Sequence, residues 1–197
     1  MNADAVLVAL LAAGRGSRFG GGKLDAPCAG KPVGQWVLEA VAAAGLPAGV
    51  VVTGPRAPAF IAGAREWDRL VNPQPADGLG ASVATAARMA RQRGSEALLV
   101  LLADMPLVTP ELLHDLCAQT GPAAIDHGNG RPGVPAMFPA ALYGMLEQCT
   151  GDRGAAAVLA HLADLTLIQA PGDVLSDVDT PGDLRQVEAR LLQRSGA

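Results

Sequence analysis

Three apolar runs constrain the fold of this chain more than any other feature: Ala5–Leu11, Gly49–Thr53 and Ala97–Ala103. None shows the alternation of a half-exposed strand, so each reads as a strand buried on both faces, as in a parallel sheet covered by helices on either side. Helical spacing fills the intervals. Val33, Trp36, Val37, Ala40, Val41 and Ala44 form one stripe after Pro32 and before Gly45; Val83, Ala86, Ala87 and Ala90 form another. Thr109 and Pro110 suit the N-cap and first position of a further helix. Residues 58–70 are expected to be helical, with a short strand at Leu70–Asn72. A helix is also expected to open near Asp152–Ala155, and a closing helix to carry Leu184, Val187, Leu191 and Leu192. Gly128–Gly130 and Gly133 mark a hairpin, and Val174–Asp179 is expected to be the last strand. Alternating strands and helices predict one α/β domain over residues 1–197, with three Rossmann-like layers around a mainly parallel, mixed sheet.

Composition removes several classes of function. Half of the 197 residues are apolar and 17% are charged, which excludes a disordered chain. Fifteen basic residues against 19 acidic ones give a net charge of −4, with no basic run to hold nucleic acid. Cys28, Cys117 and Cys149 form no CxxC pair, and His114, His127 and His161 add no ligand spacing, so neither a disulfide framework nor structural zinc is expected. The first apolar run lacks a preceding basic segment and is followed by Arg15, the wrong polarity for a signal peptide. No stretch nears the roughly 20 apolar residues of a membrane span, so the cytoplasm is the expected location.

The first run leads into Leu11-Ala-Ala-Gly-Arg-Gly-Ser-Arg-Phe-Gly-Gly-Gly-Lys23. A strand, a glycine loop and a helix together hold phosphates well, because glycine lets backbone N–H groups approach an anion. The loop departs from the Walker pattern, since Ser17 and Leu24 stand at required positions, and from the dinucleotide fingerprint, since Phe19 replaces its third glycine. Its cations Arg15, Arg18 and Lys23 suit a triphosphate whose pyrophosphate leaves with developing charge. Asp104 ends the third apolar run, at the ligand-facing edge of a parallel sheet. Asp177 and Asp179 would share a face of the expected last strand, while Asp183 falls on the first turn of the closing helix after Thr180.

The loop with Pro27 and Gly30-Lys-Pro32 resembles the opening of the MobA-like nucleotidyltransferases, closest to their molybdenum cofactor cytidylyltransferase branch. The similarity continues in order through Asn72 with Gly78-Leu-Gly-Ala-Ser82, Leu102-Ala-Asp-Met-Pro106, Gly133-Val-Pro135, Gly151-Asp-Arg-Gly154 and Asp177-Val-Asp-Thr-Pro-Gly-Asp183. It implies a GT-A-type nucleotidyltransferase fold that joins an NMP to the phosphate of a molybdopterin-type acceptor. The implied nucleotide contacts are Leu11, Ala12, Ala13, Gly14, Arg15, Gly16, Ser17, Arg18, Lys23, Asn72, Gly78, Ser82 and Asp104. Arg18, Lys23 and Asp104 would be catalytic, and Asp104 and Asp179 would hold Mg²⁺. Ala13 favours CTP, since the guanylyl branch usually has glycine there. Val134 departs from the histidine common in the family, and His127 and Arg131 lie where the second substrate is expected. A molybdenum hydroxylase or its chaperone is the implied recipient of the product. A guanylyltransferase using GTP on the same cofactor, an NAD(P)H-dependent oxidoreductase, a non-catalytic cofactor-binding protein and a sugar- or polyol-phosphate acceptor are the alternatives.

Overall fold

The computed structural model describes residues 5–14, 16–151, 154–171 and 173–195. Its centre is β1 (Val6–Ala12), in which all seven residues are buried. Alternation along the strand sends Val6, Val8, Leu10 and Ala12 into one core and Leu7, Ala9 and Leu11 into the other. Burying each of the larger side chains contributes about 1.5–3 kcal/mol.

Two short strands, β2 (Pro27–Cys28) and β3 (Lys31–Pro32), pair as an antiparallel hairpin outside the main sheet. The chain then runs through α1 (Val33–Ala43), β4 (Val50–Thr53), β5 (Asp68–Val71), α2 (Gly78–Arg93), β6 (Ala97–Leu102) and α3 (Pro110–Cys117). It continues through β7 (Ala123–Asp126), β8 (Pro132–Pro139), α4 (Tyr143–Leu146), α5 (Gly154–Leu159), β9 (Thr166–Gln169) and α6 (Pro181–Ser195). The seven-stranded sheet has the order β5-β4-β1-β6-β8-β7-β9, with β8 antiparallel to both of its neighbours and the other pairings parallel. Helices α1 and α3 cover one face, and α2, α4 and α5 the other. This is the α/β, mixed and mostly parallel architecture expected from the sequence. Among the described residues, no helix is long and apolar enough to cross a membrane.

Two expected elements differ. Residues 58–70 are not a helix: a short 3₁₀ turn at Ala59–Gly63 gives way to β5 at Asp68. The carboxylate of Asp25 accepts the Ala59 and Phe60 N–H groups at 2.9 and 2.8 Å, and Phe60 is the buried residue of the turn. A long-range cap and one anchoring ring thus replace the helical ladder. Nor is Val174–Asp179 a strand. Both neighbours of β6 are already in place, so this segment crosses the end of the sheet and Val178 N–H donates once, to Asp104 O at 2.9 Å. The last strand is instead β9, beside β7. The hairpin foreseen near Gly128 forms between β7 and β8. The expected helix near Asp152 is α5, described from Gly154; Asp152 and Arg153 lie outside the described residues.

Gly80, on the first turn of α2, donates its N–H to Gly151 O at 2.9 Å, and a Cβ there would lie 2.6 Å from Thr150 backbone atoms. Alanine would raise helix propensity by about 1 kcal/mol, but the clash is with backbone and outweighs it. Gly80→Ala is therefore expected to lower Tm by about 3–8 °C in a thermal melt; an unchanged or raised Tm would show that propensity dominates.

Candidate active site

Strand order reverses between β1 and β6, so the carboxyl ends of these neighbours open a crevice. Four connections meet at that edge: the glycine loop after β1, the Gly54–Pro58 turn after β4, Asn72 after β5 and Asp104 after β6. The loop folds as two 3₁₀ turns, Ser17–Phe19 and Lys23–Asp25. Gly16, Gly20, Gly21 and Gly22 all have positive φ, from 57° to 99°, which side chains other than glycine rarely adopt. This winding turns Lys23 back into the crevice, where its side chain is 8% exposed.

Lys23 Nζ donates to Asp104 Oδ2 at 2.6 Å and to Asp179 Oδ1 at 2.8 Å. Arg18 completes the cluster by donating to Asp179 Oδ2 at 2.6 Å from an exposed position. Loss of hydration pulls the Lys23 ammonium down, but Asp104 beside it, with Asp179, holds it above the ordinary lysine value. The Lys23 hydrogen bond keeps the Asp179 carboxyl below the usual range. Asp177 reaches solvent and is held above that range, first by lost hydration and then by the negative charge of Asp104 and Asp179.

Asp179 is set in place by the start of α6. Asp183 Oδ2 accepts from Asp179 N–H, Thr180 N–H and the Thr180 hydroxyl at 3.2, 2.7 and 2.8 Å, and Thr180 Oγ1 accepts from Asp183 N–H at 3.2 Å. This reciprocal cap gives Asp183 the structural role read from the sequence. The helix itself is anchored by Val187 and Leu191, which share a small core with Cys28, Val33, Leu107 and Val178. Glu188 accepts from Ala29 N–H at 2.9 Å.

Two cavities flank the cluster. One of about 630 Å³ is lined by Ala12, Ala13, Gly14, Gly16 and Lys23 on one side and by Gly54–Pro58 on the other. The second, about 410 Å³, is lined by Leu11, Ala13, Gly14, Gly78, Ser82 and Asp104 among others. Leu79 separates it from a third cavity of about 440 Å³, where His127, Arg131 and Val134 meet. Asn72 lies behind the wall: it is 1% exposed, donates to Ser82 Oγ at 3.1 Å and accepts from Gln74 N–H at 2.9 Å. Ser82 lies within α2, four residues after its start at Gly78. Ser17 is exposed on its turn, and Arg15 lies outside the described residues.

Sequence reasoning missed the wall built on Gly54–Pro58. Arg69 on β5 pins it, with Nε donating to Thr53 Oγ1 at 3.0 Å and one terminal nitrogen to Gly54 O and Pro55 O at 3.2 and 2.8 Å. Gly-Pro-Arg directly after a buried strand was the available signal, since such loops border the crevice of a parallel sheet.

The glycine loop, Asp104 and the walls of the three cavities lie within the part of the chain that matches a known family. Residues 8–165 match the MobA-like NTP transferase domain. The chain belongs to that family. It is thus a nucleotidyltransferase of the MobA-like type. The purine catabolism protein PucB of Bacillus subtilis (strain 168) is 26% identical over 207 residues, covering 97% of this chain and all of that protein. A nucleotidyl transferase from Methanothermobacter thermautotroptrophicus superposes with a TM-score of 0.82 at 23% identity, over 96% of this chain and 98% of that one. The molybdopterin-guanine dinucleotide biosynthesis protein A from Archaeoglobus fulgidus does so at 0.63 and 23% identity, over 94% and 98%.

The donor set suits a hard divalent cation. Two carboxylate oxygens already converge on one positive charge, and such ions take oxygen ligands and keep positions for phosphate and water. No group of three or more His, Cys, Asp or Glu able to hold a metal occurs among the described residues, so a metal here would be completed by its ligand.

Linkage gives the ion cluster a pH signature. Asp179, depressed in the fold, contributes stability that is present above the ordinary carboxylate value of 3.8 and lost as pH falls through its native value. Lys23, raised, contributes stability that is complete below 10.5 and lost as pH rises through its native value. Lys23→Met is expected to lose roughly 1–3 kcal/mol at neutral pH. In urea titrations across pH, its deficit relative to wild type should narrow at both extremes; a constant deficit would show that packing, not charge, is what Lys23 supplies.

Proposed function

We propose that this chain transfers CMP from CTP to the terminal phosphate of a molybdopterin-type acceptor, releasing pyrophosphate. The observation that carries the reading is the Lys23 bridge between Asp104 and Asp179, set where two cavities meet at Ala13 and Gly14. In this reading the nucleotide occupies the crevice along Leu11–Ser17, with Gly78 and Ser82 on the far wall and Asn72 holding Ser82 in register. Arg18 and Lys23 turn to the β- and γ-phosphates, where charge builds as pyrophosphate leaves. The acceptor enters from the cavity of His127, Arg131 and Val134.

Asp104 and Asp179 would hold a Mg²⁺ ion, which supplies charge neutralisation on the phosphate oxygens. The protein does no covalent chemistry. Its residues bind, align the attacking phosphate and neutralise charge. CTP is preferred to GTP on Ala13, where the guanylyl relatives usually have glycine. The product would pass to a molybdenum hydroxylase or its chaperone in the cytoplasm.

Each NTP, offered with Mg²⁺ and molybdopterin acceptor, is assayed by pyrophosphate release. CTP is expected to be used best; preference for GTP would sink the cytidylyl assignment, and release with none of them would sink transfer itself. Asp104→Asn should abolish turnover while its circular dichroism stays native. Arg18→Ala should lower kcat by roughly 10²-fold with a smaller change in KM; the opposite split would assign Arg18 to ground-state binding.

A further inference from the structure

We propose that Lys23 is a resident counter-ion that keeps a divalent metal out of the ligand-free site, so that metal and nucleotide bind with strong positive coupling. The inference rests on the reading above, in which Asp104 and Asp179 are the metal-holding acids. Its basis is that these two acids are already occupied. Asp104 Oδ2 and Asp179 Oδ1 both accept from Lys23 Nζ, and the other oxygen of Asp179 accepts from Arg18. Two carboxylates and two cations thus neutralise one another.

Each ligand arriving alone meets a different penalty. A free divalent ion must push Lys23 off both acids, leaving a side chain that is 8% exposed without its counter-charges. Breaking a largely buried pair by removing one partner costs more than the pair itself contributes, because the remaining charge is neither hydrated nor matched. A free triphosphate has the mirror problem: it can draw Lys23 and Arg18 to its oxygens only by stripping both cations from Asp104 and Asp179. Together the two ligands remove both penalties. The ion replaces Lys23 between the acids, and the phosphates receive the ammonium that the ion displaces.

The short reach of the exchange is built into the loop. Lys23 opens the second 3₁₀ turn, directly after Gly20, Gly21 and Gly22, and its aliphatic stem packs against Gly16, where a Cβ would lie 3.3 Å from Lys23 Cγ. Gly16, Gly22 and Lys23 itself border the 630 Å³ cavity, so the ammonium can change partners without leaving the site. Coupling of this kind is reciprocal: nucleotide must tighten metal binding by the same factor that metal tightens nucleotide.

The test uses Mn²⁺ as the probe, read by the loss of its free-ion electron paramagnetic resonance signal, with no acceptor present. Wild-type protein is expected to bind Mn²⁺ at least about tenfold more tightly with saturating CTP than without it, after correction for Mn²⁺–CTP complexes in solution. Lys23→Met is expected to bind Mn²⁺ alone at least about tenfold more tightly than wild type and to lose most of the coupling. Adding Asp104→Asn to Lys23→Met should abolish the gain, which locates it at the acids. Equal Mn²⁺ affinity of the wild type with and without CTP would overturn the proposal, and so would an unchanged or weaker affinity in Lys23→Met. Should Lys23→Met fail to fold, Lys23→Gln, which keeps a polar contact to the acids without the charge, takes its place with the same expected gain and the same overturning result. Pyrophosphate release is measured separately, so active wild-type enzyme that shows no coupling would refute the counter-ion and leave the transfer reading standing.

Discussion

A single, nearly buried ammonium is the interaction on which the functional edge of this protein depends. Lys23 joins Asp104 and Asp179, groups 81 and 156 residues away along the chain, and without it two carboxylates would face each other. The fold can be read outward from that requirement. Parallel pairing of β1 with β6 puts the glycine loop and Asp104 on the same end of the sheet, and the Val178 N–H bond to Asp104 O carries Asp179 to them. The two cores on either face of β1 supply the rigidity; the crevice supplies an opening where charge can be concentrated at low hydration.

Much of this was legible in the residues. Runs with no polar interruption disclosed β1, β4 and β6, because a strand covered on both faces has little use for polar side chains. The glycine loop disclosed a backbone path that requires left-handed residues, and Asp104 stood at the end of a buried strand. What escaped was set by tertiary contacts. β9 carries no fully buried residue, so its pattern is weak, and of β5, equally poor in buried residues, only the end at Leu70–Val71 was legible. The turn at Ala59–Gly63 is held by Asp25, more than thirty residues earlier, and no local spacing reports such a cap. Val174–Asp179 has the letters of a strand, but both sides of β6 were already taken. Most telling, the sequence assigned cations to phosphate and acids to metal as separate lists; their mutual pairing appears only in three dimensions.

The same division separates what the family membership settles from what it leaves to chemistry. Nucleotide transfer follows from the domain that residues 8–165 match. Choice of base and acceptor depends on cavity walls, and these are built differently. One wall is glycine backbone; the opposite one, Gly54–Pro58, owes its position to the three-acceptor grip of Arg69. The cavity at His127 is lined in part by small alanines, and the His127 ring nitrogen is engaged with Val134 O at 2.8 Å. Its shape is set by backbone and ring packing, and Arg131 adds an exposed cation to the lining.

The anchoring of α6 on the small hairpin bears on how the protein is made. During synthesis the glycine loop and Asp104 leave the ribosome before Asp179 and α6 do. Until α6 docks on Cys28, Val33 and Leu107, Lys23 lacks one of its two acids and Arg18 lacks Asp179. The charge cluster is completed by a segment 156 residues beyond Lys23, which makes electrical balance at this edge a marker that distant parts of the fold have met.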